Sequence, residues 1–238
     1  KPSAFASTLK NCALGWSPFS GDAIMTNTFM DNFKIYNVAL SAEEITAQYN
    51  AIKDKATTTD ASITTNIAHV WEATGNPIVT HKHTADPAAL VYNDTLFIFT
   101  GQDARGGQTG YNIPNWCCFA TTDMKHFWEY STPLKSSDFA WASANSAWAG
   151  QVIERNGKFY WYTSSNTTGI GVGIADRPEG PYKDALGHAL VTNNNSPGMG
   201  HSWRTIDPSV FIDDDGQAWL YWGNGATWVA KLNEDMIS

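Results

Sequence analysis

The chain has 238 residues, 42% of them apolar and 16% charged, which is the composition of a globular protein and excludes a disordered one. Fifteen basic against 23 acidic side chains give a net charge of −8, which argues against a phosphate-backbone binder. No window approaches ~18 consecutive apolar residues, so no transmembrane helix is expected.

The start, KPSAFASTLKNCALGWSPF, lacks the compact apolar segment and small-residue cleavage site of a signal peptide. Phe33-Lys34-Ile35-Tyr36 alternates as a strand. Ser41 to Glu44 reads as a capping box, followed by Ile45, Tyr49 and Ile52 at helical spacing. One strand and one short helix cannot bury a core, so residues 1–55 are expected to be the tail of a longer domain. The stretch DNFKIYNVALSAEEITAQY resembles the closing strand and helix of laminin-G-like (concanavalin-type) jelly rolls. Polar residues 56–67 then read as a linker, and 68–238 as the second domain.

From Thr84 on, one pattern recurs: a short strand, a two-residue turn and an aromatic strand. It appears as ADPAALVYNDTLFIFTG, WAGQVIERNGKFYWYTS and DPSVFIDDDGQAWLYWG. The turns Asn93-Asp94, Asn156-Gly157 and Asp215-Gly216 recur about every 60 residues, and such dipeptides close hairpins. Further strands are expected at 116–121 and 170–175. Four-stranded units repeating at this period predict propeller blades, and about two and a half are present where ~4–8 close a ring. The fold class is therefore all-β, a partial propeller after a jelly-roll remnant, and the sequence reads as a fragment.

Asp86 and Asp207 are each followed by proline and a small residue, and each precedes its turn by seven or eight positions. In a propeller the first strand of each blade lines the channel, so the two carboxylates should converge at one mouth despite their separation in sequence. Asp-Pro also caps ordinary turns, but two in register within an aromatic-rich repeat point to chemistry. Paired carboxylates suit glycoside hydrolysis, where one activates water and another protonates the leaving oxygen. Eleven tryptophans supply flat faces that suit sugar rings and β cores alike.

These motifs, with GIADRPEGPYKDALGHAL between them, resemble glycoside hydrolase family 43 from about residue 68 to 238. The resemblance implies a five-bladed propeller that inverts anomeric configuration, acting on xylan, arabinoxylan or arabinan as a β-xylosidase or α-L-arabinofuranosidase. It assigns Asp86 as general base and Asp207 as the residue that tunes and orients the acid. The acid itself, a glutamate of a later blade, is absent, so the 238 residues alone are expected to be inactive. It further implies secretion or a cell-envelope location, and no cofactor. Trp148, Gln102, Asp103, His201 and Trp203 are the substrate-binding candidates. Glu179 fits an exposed turn between blades, and Trp161, Trp219 and Trp222 fit packing positions.

No metal site is expected. Asp213 to Gly216 lacks the spacing of a calcium loop, His81 and His83 lack a third ligand, and the cysteines 12, 117 and 118 lack zinc spacing. Two other readings stay open: a carbohydrate-binding propeller without catalysis, and a protein-interaction scaffold, which leaves the aspartates and tryptophans unexplained.

Overall fold

In a computed structural model the chain divides into two compact units, Lys1–Asp60 and Ala61–Ser238. The residues described are 41–43, 46, 66–104, 111–166 and 168–238. In the first unit Ala42, Glu43 and Thr46 are helical. The expected strand at 33–36, the rest of the capping box, the jelly-roll remnant and most of the linker lie outside the described residues, as does Cys12.

The second unit is built from hairpins whose turns follow from their sequences. The strand β1 (Ile67–Glu72) precedes β2 (Thr84–Tyr92), β3 (Thr95–Gln102), β4 (Asn115–Thr121), β5 (His126–Tyr130) and the short β6 (Leu134–Lys135). They form one sheet in the order β1-β5-β4-β3-β2, with β6 paired to β4. The expected four-stranded unit is β2–β5; β1 extends it at the outer edge. The second sheet runs β10-β9-β8-β7, from β7 (Gly150–Arg155), β8 (Lys158–Ser165), β9 (Gly169–Ala175) and β10 (Lys183–Asp184). The third is β11 (Ser209–Ile212), β12 (Ala218–Trp222) and β13 (Trp228–Lys231), in that order.

Asn93 and Asp94, and then Asn156 and Gly157, all have positive φ, the signature of the two-residue turns whose twist matches the strands. The third hairpin differs from the sequence expectation. Only Gly216 is left-handed there, at φ 84°, while the Asp213 amide donates to Gln217 O and the Gly216 amide to Asp213 O. With one left-handed residue available, Asp214–Gly216 close as a three-residue loop.

Alternation along β8 holds the sheets together, because successive strand side chains point to opposite faces. Phe159 and Trp161 pack with Phe99, Trp116, Leu134 and Tyr182 of the first sheet's side. Tyr160 and Tyr162 pack with Val210, Leu220 and Trp222 of the third. The central sheet is thus buried on both faces, and its inner strand β7 lies beside β2 on one side and β11 on the other. Three antiparallel sheets with adjacent inner strands make a partial propeller. Close packing dictates Gly171, where an added Cβ would sit 2.3 Å from the Trp141 ring.

Trp161 and Trp222 are buried packing residues, 1% and 5% exposed. Trp219 is not: it lies half-buried on the far face of the third sheet, under Lys231, whose Nζ is 5.1 Å from the ring. Cys117 and Cys118 are adjacent buried thiols on β4, and burial pushes Cys117 up to about 11. Glu179 also departs from expectation. It is 7% exposed rather than solvated, and its Oε1 accepts from Arg177 Nε at 2.6 Å. A carboxylate buried to that degree requires such a charged donor.

Candidate active site

The inner strands begin at one end of the sheets, and the first residues of each determine what collects there. β2 carries a bulge: Ala85 pairs with Gly101 and Ala88 with Phe99, so Asp86 and Pro87 together oppose Thr100. Asp86 has φ 53° and Asp207, just ahead of β11, has φ 59°. Left-handed backbone is uncommon for residues other than glycine, and aspartate is among the few that tolerate it. The same strained geometry at two repeat-equivalent Asp-Pro steps re-aims both carboxyls away from the regular pleat. Such strain persists where surrounding structure enforces it. At Asp207 the backbone amide donates to Ser164 Oγ at 2.9 Å, and that hydroxyl donates to Ala149 O at 2.9 Å. Gln151 then clamps the following strand, accepting from Ser209 Oγ and the Val210 amide and donating to Val210 O.

Asp86 and Asp207 line one cavity of about 600 Å³ with Tyr111, Ile113, Trp148, Ala149, Trp203, Ile206 and Asn224. This volume lies within the ~300–1,000 Å³ typical of small-ligand sites. Ala149 occupies the repeat position that holds aspartate in the other two sheets, so the second sheet contributes no charge here. Trp148 is held rigidly: its Nε1 donates to Tyr111 O at 3.1 Å, and its carbonyl accepts from Trp116 Nε1 at 2.8 Å. The Tyr111 ring meets it edge-on at 5.5 Å. Trp203 stacks on His201 at 4.8 Å, and Arg204 pins that loop through His201 O and Ser196 O. Tyr111 and Trp203 are 79% and 49% exposed, leaving two aromatic surfaces open at the mouth.

Of the residues singled out from sequence, Asp86, Asp207, Trp148 and Trp203 come together. His201 supports Trp203 from outside the lining. Gln102 and Asp103 are placed elsewhere, in a separate cavity beside β1 and β5. In the third sheet the corresponding loop, Gly223-Asn224-Gly225, does reach the first cavity. Tyr111, Ile113, Ile206 and Asn224 carried no sequence signal of their own, although Ile206 directly precedes Asp207.

The Asp207 carboxyl is raised above its ordinary value, first by burial and then by the negative charge of Asp86. A raised acid holds its proton more tightly in the folded state. The stability linked to it is therefore full at low pH and lost as pH rises through the folded value. Asp86→Asn removes the second cause and is expected to lower the Asp207 midpoint, measured by carboxyl-carbon NMR titration, while the burial contribution stays. An unmoved midpoint would mean that the two carboxyls do not sense each other.

Comparison with known proteins gives a consistent match. The description "Glycosyl hydrolases family 43" fits residues 74–238. An arabinoxylan arabinofuranohydrolase from Paenibacillus polymyxa is 37% identical over 171 residues, covering 63% of this chain and 26% of that protein. A solved α-L-arabinofuranosidase from Clostridium thermocellum is 41% identical with a TM-score of 0.54, covering 68% of this chain and 55% of that one. A Bacillus subtilis family 43 arabinoxylan arabinofuranohydrolase, solved with cellotetraose, is 31% identical with a TM-score of 0.57, covering 68% and 40%. The chain spans about a quarter to a half of the length of the curated relatives it matches.

Proposed function

The chain belongs to glycosyl hydrolases family 43, and from that premise we propose that the full-length protein hydrolyses pentosides of xylan or arabinoxylan by single displacement. The observation that carries this reading is the pair of strained Asp-Pro steps opening on one aromatic-walled cavity. Asp86 is the general base: it draws a proton from a water that attacks the anomeric carbon from the face opposite the leaving oxygen. Asp207 orients the acid and holds it protonated through its own charge, as neighbouring carboxylates do. The acid must lie about 6.5–9.5 Å from the base to leave room for that water.

No glutamate lines the cavity among the described residues. We assign the acid to a part of the propeller outside these 238 residues, and expect this chain alone to bind sugar without turning it over. The bare pair of aspartates also favours a second reading, a sugar-binding propeller without catalysis. The substrate is a polymer too large to cross a membrane, which supports an exported enzyme, and among the described residues no helix is long and apolar enough to span one. By their sequence, residues 1–55 fit the tail of a laminin-G-like module.

The deciding experiment is proton NMR of arabinoxylan and xylo-oligosaccharides incubated with the full-length protein. The expected result is free pentose released first as the anomer opposite to that of the substrate. Retention of configuration excludes the single displacement, and binding without release supports the non-catalytic reading.

A further inference from the structure

The repeat aligns more than its aspartates. Counted from the turns Asn93-Asp94, Asn156-Gly157 and Asp215-Gly216, the strand that follows each reaches Gly101, Ser164 and Gly223 at one equivalent position. At the two glycines a side chain has little room: an added Cβ would lie 3.1 Å from Ala147 O at Gly101 and 2.1 Å from Ala226 O at Gly223. Of the three sheets, the second carries a side chain there, and its inner strand opens on Ala149 rather than on an acid. The sheet that lacks the carboxylate is thus the one that holds a hydroxyl.

That hydroxyl reaches the neighbouring acid. Ser164 is fully buried, and its backbone is fixed on both sides. Its amide donates to Ala149 O at 3.1 Å, and its carbonyl accepts from the Trp148 amide at 3.2 Å. Its Oγ donates to Ala149 O at 2.9 Å and accepts from the Asp207 amide at 2.9 Å. A serine hydroxyl has one proton to give; with that committed to Ala149, it can meet Asp207 only as an acceptor, and an amide is what it meets. Gln151 holds the far side of Pro208 in the same way, accepting from the Val210 amide at 2.8 Å and donating to Val210 O at 3.2 Å.

The third sheet itself does less to aim the acid. Its inner strand β11 has four residues, and the left-handed Asp207 precedes it, outside the ladder that begins with Ser209 opposite Tyr221. We propose that Ser164 is the positioning residue of Asp207, an inference that rests on the pentoside reading above. Ser164 is not part of the cavity lining, so it acts through Asp207: it holds the strained step whose direction sets where that carboxyl stands. Among the described residues, Asp86 is the one other charged group lining the cavity. Without Oγ the Asp207 amide is released, and a strained step relaxes when its surroundings no longer enforce it. The carboxyl then leaves its post beside Asp86 and the acid.

Kinetics of the full-length protein on xylo-oligosaccharides and arabinoxylan test this. Ser164→Ala is expected to lower kcat about tenfold, the scale on which one hydrogen bond biases a conformation, with KM within about twofold. The upper limb of the kcat–pH profile reports the acid losing its proton. It should move to lower pH, because a displaced Asp207 carboxylate raises the acid's hold on that proton less. Tyr162→Phe is the control. It removes a buried hydroxyl of the same strand that donates to Met236 O rather than to a residue of the cavity, and should leave kcat and the limb in place. Should Ser164→Ala melt early, Ser164→Cys keeps the shape of the side chain, offers only a weak acceptor and carries the same comparison. An unmoved limb, or an equal loss in Tyr162→Phe, overturns the positioning role alone. Failure of the unaltered protein to release pentose overturns the pentoside reading as well.

Discussion

Asp86→Asn in the full-length protein is expected to lower kcat by about 10²–10⁴, the usual contribution of a general base. KM and the melting temperature should barely move. Asparagine is isosteric and tolerates left-handed backbone as aspartate does, so the φ of 53° and the bulge opposite Thr100 are conserved. What disappears is the ability to take a proton from water. Parallel measurement of kcat, KM and thermal unfolding separates the outcomes. A kcat within a few-fold of the parent would remove Asp86 from the chemistry, whereas a loss of Tm would mean that its charge also supports the fold.

The second large effect concerns the interior. Trp161→Ala should cost about 3–5 kcal/mol, because a large buried ring is deleted from a packed core that relaxes only partly. The ring lies 4.9 Å from Phe99 and 5.1 Å from Tyr182, both edge-on, and 6.0 Å from Trp116. It therefore joins the first sheet to the second. At roughly 2–4 °C per kcal/mol for a domain of this size, Tm should fall by about 6–20 °C. Trp161→Phe should cost much less. It keeps most of the ring contacts and removes an indole nitrogen that is buried without a partner. Denaturation midpoints of the three chains check this, and an alanine variant as stable as the parent would contradict the assigned packing.

Much of this architecture could be read in the residues, for identifiable reasons. Asn93-Asp94 and Asn156-Gly157 announce hairpins because few dipeptides accept two consecutive positive φ values. The repeat then indexes the strands, which brings Asp86 and Asp207 to equivalent places. The same logic does not say which cavity Gln102 and Asp103 line. Position in a repeat says which end of a sheet a residue occupies, but not how far from the shared axis its loop swings. The first sheet's loop opens on the second cavity, while the third sheet's Gly223-Asn224-Gly225 reaches the first. Glu179 misled for a related reason: a Pro-Glu-Gly turn reads as solvated, and nothing local shows that the carboxylate is buried against Arg177. Tyr111 lacks any periodic signal because it is in a loop, and its place depends on the Trp148 indole that its carbonyl holds.

The two Asp-Pro steps divide labour in a way that bears on how such a protein diversifies. Main-chain conformation delivers each acid to its post, so neither depends on the rings around it for aim. Tyr111, Trp203 and Asn224, by contrast, sit on connections free to drift. Under the proposed function, substrate preference can therefore be rewritten through those loops while the two carboxylates stay fixed in their mounting.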